Sequence, residues 1–210
     1  MPTDTVRLPN VVIEGDLKVA GALPSTARTY LTQDNNARYA IPWTFWRIWD
    51  SLTTNLTTPG VSADDLGLIQ GTFGTGSPSI QSGDLKNAGS TTRYARCQIF
   101  LPPEFVTLES VTVRAHAGMV TTVASTAATI DFEVYRSNSE TGIGSDLCST
   151  SATTINSLTF ADKDFTITPT TLNPGDLLDI RMAILVNDTA TGTAVIGCAG
   201  AVELLLDIKG

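Results

Sequence analysis

Alternation of apolar and polar residues dominates the second half of the chain. In 172–186, LNPGDLLDIRMAILV, the residues Leu178, Ile180, Met182, Ile184 and Val186 share one parity, and Asp179, Arg181 and Asn187 fall on the other. Successive side chains of a strand point to opposite faces, so this is a strand with one face in a core. Asn173-Pro174-Gly175-Asp176 predicts the turn that launches it, with proline presetting φ and glycine allowing φ > 0. Leu177, Ala183 and Leu185 interrupt the polar parity, which implies that a neighbour covers part of that face. In the last strand Val202, Leu204, Leu206 and Ile208 alternate with Glu203, Asp207 and Lys209, with Leu205 the exception. These two long strands are expected to pair.

The same period recurs upstream. Ala95, Cys97, Ile99 and Leu101 alternate with Arg96 and Gln98, and Val111, Val113 and Ala115 with Thr112, Arg114 and His116. Ile130, Phe132 and Val134 alternate with Asp131, Glu133 and Tyr135, and Phe165 and Ile167 with Asp164, Thr166 and Thr168. Shorter strands are predicted around 147–149 and 154–160. About eight strands with regular turn signals predict an all-β fold, an antiparallel β-sandwich or jelly roll.

The first sixty residues read differently. Residues 6–22, VRLPNVVIEGDLKVAGA, form a strand–turn–strand pattern with Ile13, Leu17 and Val19 apolar and Glu14, Asp16 and Lys18 polar. A lone hairpin is not stable in water, so it must pack on the main domain, on its own copies or on another protein. All three tryptophans follow, at Trp43, Trp46 and Trp49. A short helix from Ile41-Pro42 would align them in one row. Such a row either plugs an open end of the sandwich or forms an interface with a subunit or partner. Arg28, Arg38 and Arg47 lie near it in sequence, making this segment the best docking candidate. The expected organisation is residues 1–60 as an extended amino-terminal arm, with hairpin and Trp-rich segment, and residues 61–210 as the sandwich.

Composition narrows the function. Charged residues make up 16% of the chain and the net charge is −8, so a nucleic-acid backbone or an anionic membrane surface is a poor partner. Cys97, Cys148 and Cys198 form no metal-ligand spacing, and an odd count argues against a disulfide framework. MPTDTVRLPN lacks the apolar stretch of a secretion signal, and no apolar run is long enough to span a bilayer. Synthesis and retention in a cytoplasm are therefore expected.

Candidate chemistry is sparse. Residues 71–76, GTFGTG, lack the Lys-Ser/Thr of a phosphate loop and predict a turn. His116, the sole histidine, has no nucleophile signature around it. Asp131 and Glu133 point the same way and would suit a glycosidase, but same-face carboxylates are common on acidic proteins. Asp64, Asp65, Asp176, Asp179, Asn187 and Asp188 match no calcium-loop spacing. No catalytic residue, cofactor or metal is expected.

VVIEGDLKVAGAL, residues 11–23, is similar to the V-x-x-x-G-x-L-x-V-x-G-x-L repeats that begin many phage fibre and head-appendage proteins. With the LNPGDLLDI turn-strand and the Thr/Gly-rich strands from Thr91, the chain resembles tailed-bacteriophage virion structural proteins of capsid-decoration, cement or head-fibre type. The resemblance implies a non-enzymatic virion protein, made in the host cytoplasm and carried on the capsid surface as a homotrimer. Its partners would be the major capsid protein and its own copies. Ile13, Leu17, Val19, Arg38, Trp43, Trp46, Arg47 and Trp49 are the expected interface residues. The alternative is a receptor- or glycan-binding jelly roll of a tail or head fibre, using Tyr94 and Tyr135 as exposed aromatics.

Overall fold

A computed structural model describes residues 36–60, 64–138 and 143–208. These residues form two facing antiparallel sheets, and no α-helix occurs among them. The fold is the β-sandwich that the alternation predicts. One sheet has the order β10 (Ala161–Ile167), β7 (Val111–Val120), β12 (Ile196–Asp207), β5 (Ser79–Gln81), β4 (Gly67–Ile69), with β1 (Asn36–Ala40) also on β12. The other runs β3 (Ser51–Asn55), β2 (Arg47–Ile48), β6 (Gly89–Phe100), β11 (Leu177–Asp188), β8 (Ala127–Arg136), β9 (Thr153–Thr154).

β11 sits at the centre of the second sheet, paired with β6 and β8 along nearly its whole length. Its apolar parity, Leu178 to Val186, is wholly buried, as is the matching parity of β8. Phe132 of β8 meets Phe165 of β10 edge-on at 4.9 Å between centroids, locking the two sheets together. The launching turn is as expected: the Asp176 N–H donates to the Asn173 carbonyl at 3.1 Å, and Gly175 takes φ 82°.

The structure corrects several expectations. The two long terminal strands do not pair but lie in opposite sheets, because alternation fixes the face a strand buries and says nothing of its lateral neighbour. They meet across the core instead. A Cβ on Gly197 of β12 would come within 2.6 Å of Ile184 Cγ2 of β11. The strands expected over 147–149 and 154–160 shrink to the two-residue β9 and a single bridge between Cys148 and Ile167. β1, β2 and β3, which fall within the expected arm, are strands of the sandwich itself. The hairpin expected over 6–22 lies outside the described residues.

Candidate functional site

The outer face of the second sheet is built by three consecutive long strands. Outward-pointing residues are Tyr94, Arg96 and Gln98 on β6, Asp179, Arg181 and Ala183 on β11, and Asp131, Glu133 and Tyr135 on β8. Register aligns them in rungs. Arg47 of β2, Arg96, Arg181 and Glu133 face one another across four strands, while Gln98, Asp179 and Tyr135 form the next rung.

Like charges directly opposite destabilise a sheet, so Arg96 beside Arg181 demands compensation. The neighbouring carboxylates supply it. Arg96 grips Asp179 with two nitrogens, Nε to Oδ1 at 2.6 Å and Nη2 to Oδ2, and Gln98 donates to Oδ2 at 3.2 Å. Asp179 is thus buried without being orphaned, and its bond holds the Arg96 guanidinium above its ordinary pKa. Arg181 donates to Glu133 Oε1, and the Tyr135 hydroxyl donates to Glu133 Oε2 at 3.2 Å. Burial, then the Glu133 charge, push the Tyr135 phenol up.

The β2–β3 turn brings Trp49 over this face. Its indole lies 5.3 Å from the Tyr94 ring, and its Nε1 donates to Asp64 Oδ2 at 3.2 Å. The Arg181 guanidinium carbon sits 4.8 Å from the Tyr94 centroid and 5.5 Å from that of Trp49. One arginine therefore joins two aromatic rings to a carboxylate. The result is an open cleft of about 390 Å³ lined by Trp49, Asp50, Arg96, Glu133, Tyr135, Ile143, Asp179 and Arg181. Trp49 and Tyr135 are half-buried, leaving ring surface available beside fixed donors and acceptors.

The expected interface residues are dispersed. Ile13, Leu17 and Val19 lie outside the described residues. Arg38 projects from β1 into an exposed ion pair with Glu203 at 3.8 Å. The helix expected to align the tryptophans is a single 3-10 turn, Trp43–Phe45, after which the backbone is extended. In extended chain, adjacent side chains part. Trp46 turns into the core at 1% exposure, while Arg47 turns back onto the Thr44 and Trp46 carbonyls. Trp43 is half-buried and borders a groove in the other sheet with Phe160 and His116. Trp49 alone reaches the cleft.

Other candidates have structural partners. His116 is exposed, its Nδ1 2.8 Å from Asp162 Oδ1. Residues 71–76 fold into a closed turn with Gly71 and Gly74 at positive φ, as expected for a turn. Among the described residues no cluster could hold a metal ion. Asp188 is filled by the N–H groups of Asn87, Ser125 and Thr191 and by the Thr191 hydroxyl. Asp131 Oδ1 accepts the Phe132 N–H. Burial raises the Asp131 carboxyl above its ordinary value, with the Glu133 and Asp146 charges adding to it. Cys97 and Cys198 are buried, Cys148 is half-buried, and all three are free.

No family model matches the chain, and no curated protein matches it. Among solved structures it is similar to the xylan-binding module CBM15, at 15% identity and TM-score 0.45 over 83% of this chain and 99% of that one. It is also similar to the CBM22-1 xylan-binding domain of Paenibacillus barcinonensis Xyn10C, at 13% identity and TM-score 0.40 over 75% and 89%. A third likeness is to the Gx strain of infectious bursal disease virus, at 15% identity and TM-score 0.39 over 95% of this chain and 38% of the viral one.

Proposed function

We propose that the chain is a non-enzymatic jelly-roll module that binds a glycan in the Trp49–Arg181 cleft. The carrying observation is the joining of aromatic rings to fixed, paired charges on one open sheet face. A sugar ring offers an apolar C–H face and a rim of hydroxyls, and each hydroxyl both donates and accepts. Trp49 and Tyr135 supply surface for the first, with Tyr94 behind Trp49 and Arg181 in support, and Arg96, Asp179, Arg181 and Glu133 supply partners for the second. The cleft is open rather than enclosed, which suits a chain lying across the strands. Glu133 is paired with Arg181 and Asp131 lies outside the cleft lining, which favours binding over bond cleavage by this pair.

The test is binding to a glycan array by the full-length protein and by Trp49→Ala and Arg181→Ala. Loss of about 1–3 kcal/mol in either variant, roughly 5- to 150-fold in affinity, is expected for a central contact. Wild-type signal that survives both substitutions would remove the cleft from the account.

A second reading is favoured by residues 11–23. In it the chain is a virion decoration or head-fibre protein, trimeric and docked through its amino-terminal segment on the major capsid protein. The two readings are compatible, since a fibre can carry a glycan-binding module. Co-sedimentation of the full-length protein with capsids, together with its mass by light scattering, tests the second. A monomer that stays in the supernatant would reject it.

A further inference from the structure

The charge arrangement of the cleft points to an uncharged glycan; we infer that acidic sugars are excluded. This rests on the glycan reading above. Recognition of a uronic or sialic carboxylate calls for an unspent cation, best a guanidinium with its fork free. Each guanidinium of the cleft is already paired with a carboxylate. Arg96 spends Nε and Nη2 on Asp179, which is itself nearly fully buried. Arg181 is committed to Glu133 and lies against the rings of Tyr94 and Trp49. A ligand carboxylate would have to displace one of these partners and leave it uncompensated in a half-buried site.

The surroundings oppose it further. Asp50 lines the cleft and forms no ion pair among the described residues, and Asp64 accepts the Trp49 indole N–H. The lining thus holds three carboxylates against two guanidiniums, on a chain of net charge −8. An anionic polysaccharide meets repulsion in the approach as well as in the site. A neutral sugar meets neither. Its hydroxyls take up the lone pairs and N–H groups that the ion pairs leave unused, without breaking them.

The experiment compares neutral probes (laminarin, galactomannan and unsubstituted xylo-oligosaccharides) with acidic ones (polygalacturonate and sialyllactose). The full-length protein is titrated calorimetrically at about 20 and about 300 mM sodium chloride, either side of a Debye length near the size of the cleft. At least one neutral probe is expected to bind with an affinity that salt changes less than about twofold, and acidic probes about tenfold or more weaker. Acidic probes that bind as well as neutral ones, with affinity falling as salt rises, would overturn the inference while leaving the glycan reading intact. No binding by any probe would overturn both.

Glu133→Gln, which releases Arg181, is expected to shift the acidic-to-neutral affinity ratio about tenfold toward acidic probes. Asp50→Lys, on the exposed β2–β3 turn, keeps the test independent of the folding of the first variant. It is expected to shift the ratio the same way by a few-fold. Ratios unmoved in both would show that charge does not set the choice.

Discussion

Trp46 separates a core role from an interface role by a number. The indole is 1% exposed and belongs to the main apolar cluster, yet its Nε1–H has no hydrogen-bond partner among the described residues. Two opposing consequences follow. Truncation to alanine deletes a buried aromatic, at about 3–5 kcal/mol. At about 2–4 °C per kcal/mol for a domain of this size, Tm falls by about 6–20 °C. Replacement by phenylalanine leaves a void of about 40 Å³, costing about 1 kcal/mol at about 24 cal/mol per Å³, and loses about a further 1 kcal/mol of transfer energy. It also removes an unpaired buried donor, whose desolvation costs about 1–3 kcal/mol. Trp46→Phe is therefore expected to stay close to the wild type in stability. The assay is urea unfolding followed by far-ultraviolet circular dichroism, read as a midpoint shift at constant slope. A Trp46→Phe protein as unstable as Trp46→Ala would refute the unpaired indole. A Trp46→Ala protein of unchanged midpoint would refute burial in the core and return Trp46 to an interface.

Gly197→Ala pushes a methyl group to within 2.6 Å of Ile184 Cγ2 and 3.4 Å of Val186 Cγ2 on the facing sheet. A loss of about 1–3 kcal/mol is expected by the same urea assay, and a neutral result would contradict the facing of β11 and β12. For Asp188, burial raises the carboxyl, but donors from Asn87, Thr191 and Ser125 outweigh it and hold the group well below the usual carboxylate range. A depressed folded-state pKa contributes stability that is present above the unfolded value near 4 and lost as pH falls below it. Unfolding midpoints should drop from about pH 4 downward, and Asp188→Asn should flatten that dependence; an unchanged slope would contradict the role given to this carboxylate.

The long strands from Thr91 onward were legible because a period of two runs through each, despite interruptions such as Leu185 and Leu205, whereas the short stretches over 147–149 and 154–160 carried too little of it. Tyr94, Arg96, Asp179, Arg181, Glu133 and Tyr135 all stand on outward parities that the sequence displays. What the sequence hid was order and register. Nothing in the pattern of β11 says that β6 and β8 flank it, so the rung from Arg96 through Arg181 to Glu133 could not be drawn in advance. The usable signal was three strands each placing charged residues on the solvent parity, with a tyrosine beside them on two. The tryptophans misled for a local reason. Spacing of three suggests one helical face, but the extended backbone at Trp46 ends, after one revolution, the 3-10 turn that Pro42 opens. Trp46 and Trp49 then part, one to the core and one to the cleft.

The central claim is best tested on the indole N–H resonances of the three tryptophans in a nitrogen-15-labelled sample. Titration with a neutral glycan identified on the array should shift the Trp49 signal saturably, at its hydrogen bond with Asp64, and leave that of core-buried Trp46 in place. A glycan that binds while the Trp49 signal stays still would place the site elsewhere on the molecule and contradict the account.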